Sequence, residues 1–185
     1  MDNEKRTRPI VLIGFPGSGK TTVGSQLAKQ LGGRFLDLDD VIVDDAGYSI
    51  PEIFRREGEP GFRKREREAL ARVLGATDAV IATGGGAACQ EGNLVLMLER
   101  ADVIALWASP EESVRRTGTR SGRPLMDGVA DPLAHARALF AAREPFYRRA
   151  HLGVDAEGKT PAQIVAEITA GLAALSASGG KRERS

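Results

Sequence analysis

The run Gly14-Phe15-Pro16-Gly17-Ser18-Gly19-Lys20-Thr21 constrains the fold more than any other stretch of the chain. It matches the pattern G-x-x-x-x-G-K-[ST], and its flanks give that pattern a physical meaning. Ahead of it, Ile10-Val11-Leu12-Ile13 is an apolar run expected to form a buried strand. Behind it, Thr22 to Leu31 carries Val23, Leu27, Ala28 and Leu31 at helical spacing. In a strand–loop–helix unit of this kind, glycines let successive backbone N–H groups face one concave site, and the helix N-terminus adds positive potential. Lys20 is placed to reach the outer phosphates, and the Thr21 hydroxyl to ligate Mg²⁺. The expectation is a site for a nucleoside triphosphate.

Short apolar runs alternate with helical stretches through the rest of the chain, which predicts an α/β fold: a five-stranded parallel sheet between two layers of helices. After the first strand, the candidates are Arg34–Asp37, Ala79–Ala82, Val103–Trp107 and His151–Val154. Three helices carry start signals, each a hydroxyl three residues before Glu or Gln with an early proline: Ser49-Ile50-Pro51-Glu52, Ser109-Pro110-Glu111-Glu112 and Thr160-Pro161-Ala162-Gln163. The last opens an amphipathic helix through Val165, Ile168, Leu172 and Leu175. The 185 residues suit a single domain with a real core, about 9–175, between solvated tails Met1–Arg8 and Ser176–Ser185. Residues 117–131, rich in Gly, Arg and Asp, form one longish irregular stretch, the usual setting of a functional loop.

Net charge is +1, so no global field draws the protein to nucleic acid or anionic lipid. The single cysteine, Cys89, excludes an internal disulfide framework, fits a reducing compartment and reads as a small packed residue. No apolar stretch approaches a membrane span, and Met1–Arg6 lacks the apolar segment of a signal peptide. A cytoplasmic monomer acting on small molecules is expected.

Asp37 and Asp39 close the second strand as Asp37-Leu38-Asp39, with Asp40 next. Ligands of open parallel sheets sit beyond the carboxyl ends of the strands, so these acids should face the phosphate loop. One carboxylate is suited to hold Mg²⁺ through water while the other approaches an attacking hydroxyl; Asp40 reads as a cap of the following helix. Thr83-Gly84-Gly85-Gly86-Ala87 follows the third strand at the same edge, a backbone free to approach a ligand. In Lys64-Arg65-Glu66-Arg67-Glu68 most charges read as a solvated helix face, with Arg63, beside Phe62 at the helix start, set apart from them. Arg116, Arg120 and Arg123 form a loop cluster suited to closing over a transferring phosphate. Arg143, in a turn before the final strand, is suited to clamp a carboxylate or phosphate bidentately.

Taken together these motifs resemble the shikimate kinase family, small P-loop kinases of the group that includes the nucleoside monophosphate kinases. The resemblance runs from about Ile10 to Leu172 and rests on Gly14–Thr21, the D-x-D pair Asp37 and Asp39, Gly58-Glu59-Pro60-Gly61-Phe62-Arg63 with Glu66 following, Gly84-Gly85-Gly86-Ala87, Arg123-Pro124-Leu125 and Arg143-Glu144-Pro145-Phe146-Tyr147. It implies transfer of the ATP γ-phosphoryl group to the 3-hydroxyl of shikimate with Mg²⁺ as cofactor. Shikimate would be held by Asp39, Arg63, Gly84, Gly85, Gly86 and Arg143, with Phe54 and Phe62 walling its pocket in a region spanning about 38–67. Gly17, Ser18, Gly19, Lys20, Thr21 and Thr22 would hold the phosphates, and Arg116 and Lys159 would flank the adenine. Thr21, with Asp37 through water, would hold the metal. Lys20, Asp39 and the lid residue Arg123 would carry the catalysis. Two departures stand out: bulky Leu38 between the acids, and Lys159 where arginine is usual.

A gluconate or nucleoside monophosphate kinase is the nearest alternative, although a monophosphate kinase is expected to carry an arginine–aspartate lid cluster rather than Arg123-Pro124-Leu125. An idle ATP-binding regulator would be expected to have a broken site, yet Lys20, Thr21, Asp37, Asp39 and Arg123 are all present.

Overall fold

The central strand, β1 (Ile10–Gly14), is buried at every residue, as is β3 (Ala79–Ala82) beside it. Both are almost wholly apolar because helices cover the two faces of the sheet. β2 (Arg34–Asp37), β4 (Asp102–Trp107) and β5 (Leu152–Asp155) complete a five-stranded sheet in the order β2-β3-β1-β4-β5, every pairing parallel. A computed structural model describes residues 7–117 and 131–179.

Alternation along the strands divides the core in two. Ile10, Leu12, Val80, Ile104, Leu106 and Val154 pack with α1 (Lys20–Leu31) and α7 (Pro161–Gly179). Val11, Ile13, Ile81, Val103 and Ala105 pack on the other face with α2 (Leu38–Ala46), α3 (Ile50–Val73), α4 (Glu91–Arg100) and α6 (Pro132–Tyr147). α5 (Pro110–Thr117) follows β4. The strand order reverses on either side of β1, and the loops after β1 and β3 meet at that point, where open parallel sheets bind ligands.

Several boundaries differ from those read in the sequence. β2 ends at Asp37, and Leu38 opens a helix, so Asp39 lies in the first turn of α2 and not on the strand. Leu38 is fully buried in the core, away from the cavity its neighbours line. Asp37, not Asp40, is the cap: its carboxylate accepts from the Asp39 amide. Arg143 lies inside α6 rather than in a turn, and Arg116 lies in α5 rather than in the irregular stretch. β5 is displaced by one residue from the expected strand.

The ends are also more structured than expected. Arg8 donates to the carbonyls of Leu98, Glu99 and Ala101 at 3.1, 2.8 and 3.1 Å, capping the C-terminal end of α4. α7 continues to Gly179, past the expected tail boundary at Ser176. Of the three start signals, Thr160 forms a full reciprocal box with Gln163, and Ser109 accepts from the Glu112 amide. Ser49 occupies the cap position of α3, but its hydroxyl makes no cap bond. Residues 118–130, with Arg120, Arg123 and most of the expected lid, lie outside the described residues.

Candidate active site

The phosphate loop folds around its own lysine. Lys20 is buried, and its Nζ donates to the carbonyls of Gly14 and Phe15, each at 2.9 Å, and to Ser18 Oγ at 3.3 Å. α5 braces the loop: Ser113 Oγ donates to the Pro16 carbonyl at 2.6 Å, and Arg116 Nη1 to that of Gly17 at 3.1 Å. Gly17 to Thr22 of the loop line the cavity, in the glycine-rich setting that makes a cradle for an anion. Ser113 was not legible as a site residue in the sequence; it meets Pro16 only through the fold.

Thr21 and Asp37 join the loop to the second strand. Thr21 Oγ1 donates to Asp37 Oδ2 at 2.9 Å, while Asp37 Oδ1 accepts from the Asp39 amide at 3.1 Å. Asp37 thus both caps α2 and presents a carboxylate beside the loop hydroxyl. The cap fixes the first turn of α2 so that the Asp39 carboxylate lies against the glycine edge: a Cβ at Gly84 would come within 3.0 Å of its Oδ1.

Across the cavity two guanidinium groups converge on the same edge. A Cβ at Gly86 would lie 3.2 Å from Arg63, and one at Gly85 would lie 3.3 Å from Arg143. Arg63 pairs with Glu66 at 2.9 Å and with Glu59 at 3.2 Å. Glu66 is 1% exposed; burial pushes its carboxyl above the usual range, and the Arg63 charge opposes that. Arg143 is also buried, and its Nη1 has no hydrogen-bond partner among the described residues. Phe54 and Phe62 stack at 4.7 Å and form an apolar wall. Behind the edge, Tyr147 holds the Gly85 carbonyl at 2.6 Å.

These parts line one cavity of about 830 Å³. It brings together every expected site residue among the described ones: Gly17 to Thr22 of the loop, Asp37 and Asp39, Phe54, Phe62 and Arg63, Gly84 to Gly86, Arg116, Arg143 and Lys159. Glu66, quoted in the sequence only as the acid following a motif, lines it as well, as do Ser113 and Thr117. Arg116 is held by Glu112 at 2.5 Å and Lys159 by Glu167 at 2.8 Å, so each cation enters the cavity wall already oriented by an acid. Arg123 falls outside the described residues. Among the described residues no cluster of three or more His, Cys, Asp or Glu is arranged to hold a metal ion, and no helix is long and apolar enough to cross a membrane.

A five-stranded parallel sheet, a phosphate loop at its switch point and an acceptor cavity walled by a helical insertion define a P-loop kinase of small molecules. The chain belongs to the shikimate kinase family, whose model matches residues 16–173. It is 47% identical over 165 residues to a shikimate kinase of Moorella thermoacetica, covering 89% of this chain and 94% of the relative. With a Thermus thermophilus shikimate kinase it is 41% identical over 160 residues, 86% of each. Among solved structures it is similar to shikimate kinase from Acinetobacter baumannii in complex with shikimate, with a TM-score of 0.85 and 37% identity over 89% of this chain and 92% of that one. The enzyme from Aquifex aeolicus aligns with a TM-score of 0.80 and 35% identity over 91% and 98%. A gluconokinase from Sinorhizobium meliloti, 22% identical with a TM-score of 0.65, shares the fold alone.

Proposed function

We propose that this protein is an ATP-dependent kinase that transfers the γ-phosphoryl group to the 3-hydroxyl of shikimate, giving shikimate 3-phosphate and ADP on the route to chorismate and the aromatic amino acids. One observation carries the reading best: two guanidinium groups, Arg63 and Arg143, meet the glycine edge in the cavity that holds the phosphate loop, and Arg143 Nη1 is buried without a partner among the described residues. A buried cationic donor of this kind calls for an anion, and a substrate carboxylate supplies one with matching bidentate geometry. A neutral acceptor gives it none.

Each residue then has a role that follows from its place. Lys20 and the loop amides hold the β- and γ-phosphates, releasing the lysine from its carbonyl contacts. Thr21 and Asp37 offer hard oxygen donors 2.9 Å apart, of the kind Mg²⁺ accepts directly or through water. The metal would supply charge neutralisation at the phosphates. Asp39, at the glycine edge between the loop and the guanidiniums, orients the acceptor hydroxyl and takes its proton. Arg63, Arg143 and Gly84–Gly86 seat the acceptor, and Phe54 and Phe62 exclude water beside it. Arg116 and Lys159 flank the adenine, and Arg123 closes over the transferring group. We read the protein as a cytoplasmic monomer acting on small molecules; its net charge of +1 offers no general attraction to nucleic acid or membranes.

The test is a coupled assay of ADP release with ATP, Mg²⁺ and a panel of shikimate, gluconate and nucleoside monophosphates. Turnover confined to shikimate is expected. Equal turnover of gluconate would defeat the assignment.

A further inference from the structure

The helix α3 is bent at Gly58, whose φ of 68° and ψ of −176° belong to a region that only glycine enters readily. Both halves wall the acceptor side of the cavity: Phe54 lies before the bend, and Phe62, Arg63 and Glu66 after it. Their mutual placement therefore sets the shape of that wall. The Phe54–Phe62 stack fixes it from the cavity side, and a polar network outside the cavity lining spans the same bend.

Glu57 is the last residue before the kink, and Arg65 lies eight residues on. On a straight helix such residues would be about 12 Å apart along the axis. Here the Arg65 Nε donates to both Glu57 oxygens, at 3.1 and 2.9 Å, and Nη2 donates to Oε1 at 2.8 Å. The pair meets only because the chain bends. Tyr48, from the turn between α2 and α3, donates its hydroxyl to Glu57 Oε1 at 2.5 Å, and Arg56 lies over its ring at 4.5 Å. Arg65 and Tyr48 hold the Glu57 carboxyl down to about 2, so the network stays charged at any working pH.

We propose that Tyr48, Glu57 and Arg65 are positioning residues for the acceptor: a strut across the Gly58 bend that fixes Phe54 against Phe62 and aims Arg63 at the glycine edge. None of the three lines the cavity, so they act through the wall and not by touching the acceptor. The inference rests on the reading of this cavity as the shikimate site.

Steady-state kinetics on Arg65→Met, Arg65→Lys, Glu57→Gln and the Glu57→Gln/Arg65→Met double variant test it, alongside hydrogen exchange of the 50–73 amides in the substrate-free proteins. Arg65→Met should raise KM for shikimate about tenfold, with KM for ATP and kcat within about twofold of the parent. Arg65→Lys should recover part of the loss. The double variant should be no worse than Arg65→Met, because the partners act as one unit. Exchange around the bend should quicken in Arg65→Met. A KM for shikimate that stays put, moves together with KM for ATP, or worsens additively in the double variant would overturn the strut, as would unchanged exchange. Failure of the parent protein to phosphorylate shikimate would instead reject the function, and the exchange measurement, which needs no substrate, would still decide whether the network braces the bend.

Discussion

Tyr147 donates its phenolic hydrogen to the backbone carbonyl of Gly85 at 2.6 Å, and the residue is 1% exposed. Burial keeps the phenol protonated well beyond its ordinary range, so the donor is permanent. The bond pins the middle of the glycine edge against which Asp39, Arg63 and Arg143 lie. The Cys89 thiol reaches the same carbonyl only at 4.0 Å, a weak substitute.

Tyr147→Phe should therefore loosen the acceptor side while sparing the nucleotide side. A lost buried bond of this kind is worth about 1 kcal/mol, or roughly fivefold in affinity. KM for shikimate should rise by about that factor, KM for ATP should hold, and a denaturant melt should show stability lower by about 1 kcal/mol. Kinetics against both substrates check it. An equal rise in both KM values would mean that the phenol supports the fold and not the edge.

How much of this was readable in advance depended on range. Strands buried on both faces are continuous apolar runs, and β2 and β3 carry the bounds their residues predict. α2 starts earlier than a cap at Asp40 implies, because Asp37 caps a helix that begins directly after the strand, so Asp37-Leu38-Asp39 imitates an extended strand end. α6 runs on through Arg143 to Tyr147, where the sequence suggests a turn; Pro145 falls in its last turn, and the helix stops shortly after it. The expected site residues carry chemistry in their type and spacing. Ser113 against Pro16, Tyr147 against Gly85 and Glu57 against Arg65 carry none, since each depends on how distant or bent segments come together.

The two acids should separate by experiment. Asp39→Asn should cut kcat on the order of a hundredfold or more with ATP binding largely intact, because an amide cannot accept the acceptor's proton. Asp37→Asn keeps a capping oxygen for α2 but weakens a cation ligand, so the Mg²⁺ concentration for half-maximal rate should rise. Kinetics over a range of pH and Mg²⁺ check both. Near-normal kcat in Asp39→Asn would remove the proposed base.

Stability should fall on the acid side through His151. The Val103 amide donates to its Nδ1 at 3.0 Å, which requires that nitrogen to be unprotonated. Partial desolvation of this otherwise exposed imidazole, aided by the nearby Arg8 charge and opposed by Asp102, lowers the His151 pKa from its ordinary 6.5. The unfolded chain then binds the proton more readily than the folded one, so the contribution is complete above about pH 6.5 and fades as pH falls toward the depressed value. Thermal melts from pH 8 to 5, compared with His151→Gln, check it. The parent should lose more stability than the variant across that range; parallel curves would show that His151 does not couple to folding.

The central claim is a single chemical event in one cavity: a phosphoryl group leaves ATP and arrives on shikimate. Phosphorus NMR of the protein incubated with ATP, Mg²⁺ and shikimate follows both ends of that transfer together. The expected result is a new phosphomonoester resonance on the 3-oxygen of shikimate, growing in equal amount with ADP. Growth of ADP with inorganic phosphate and no phosphorylated shikimate, or no consumption of ATP at all, would contradict the account.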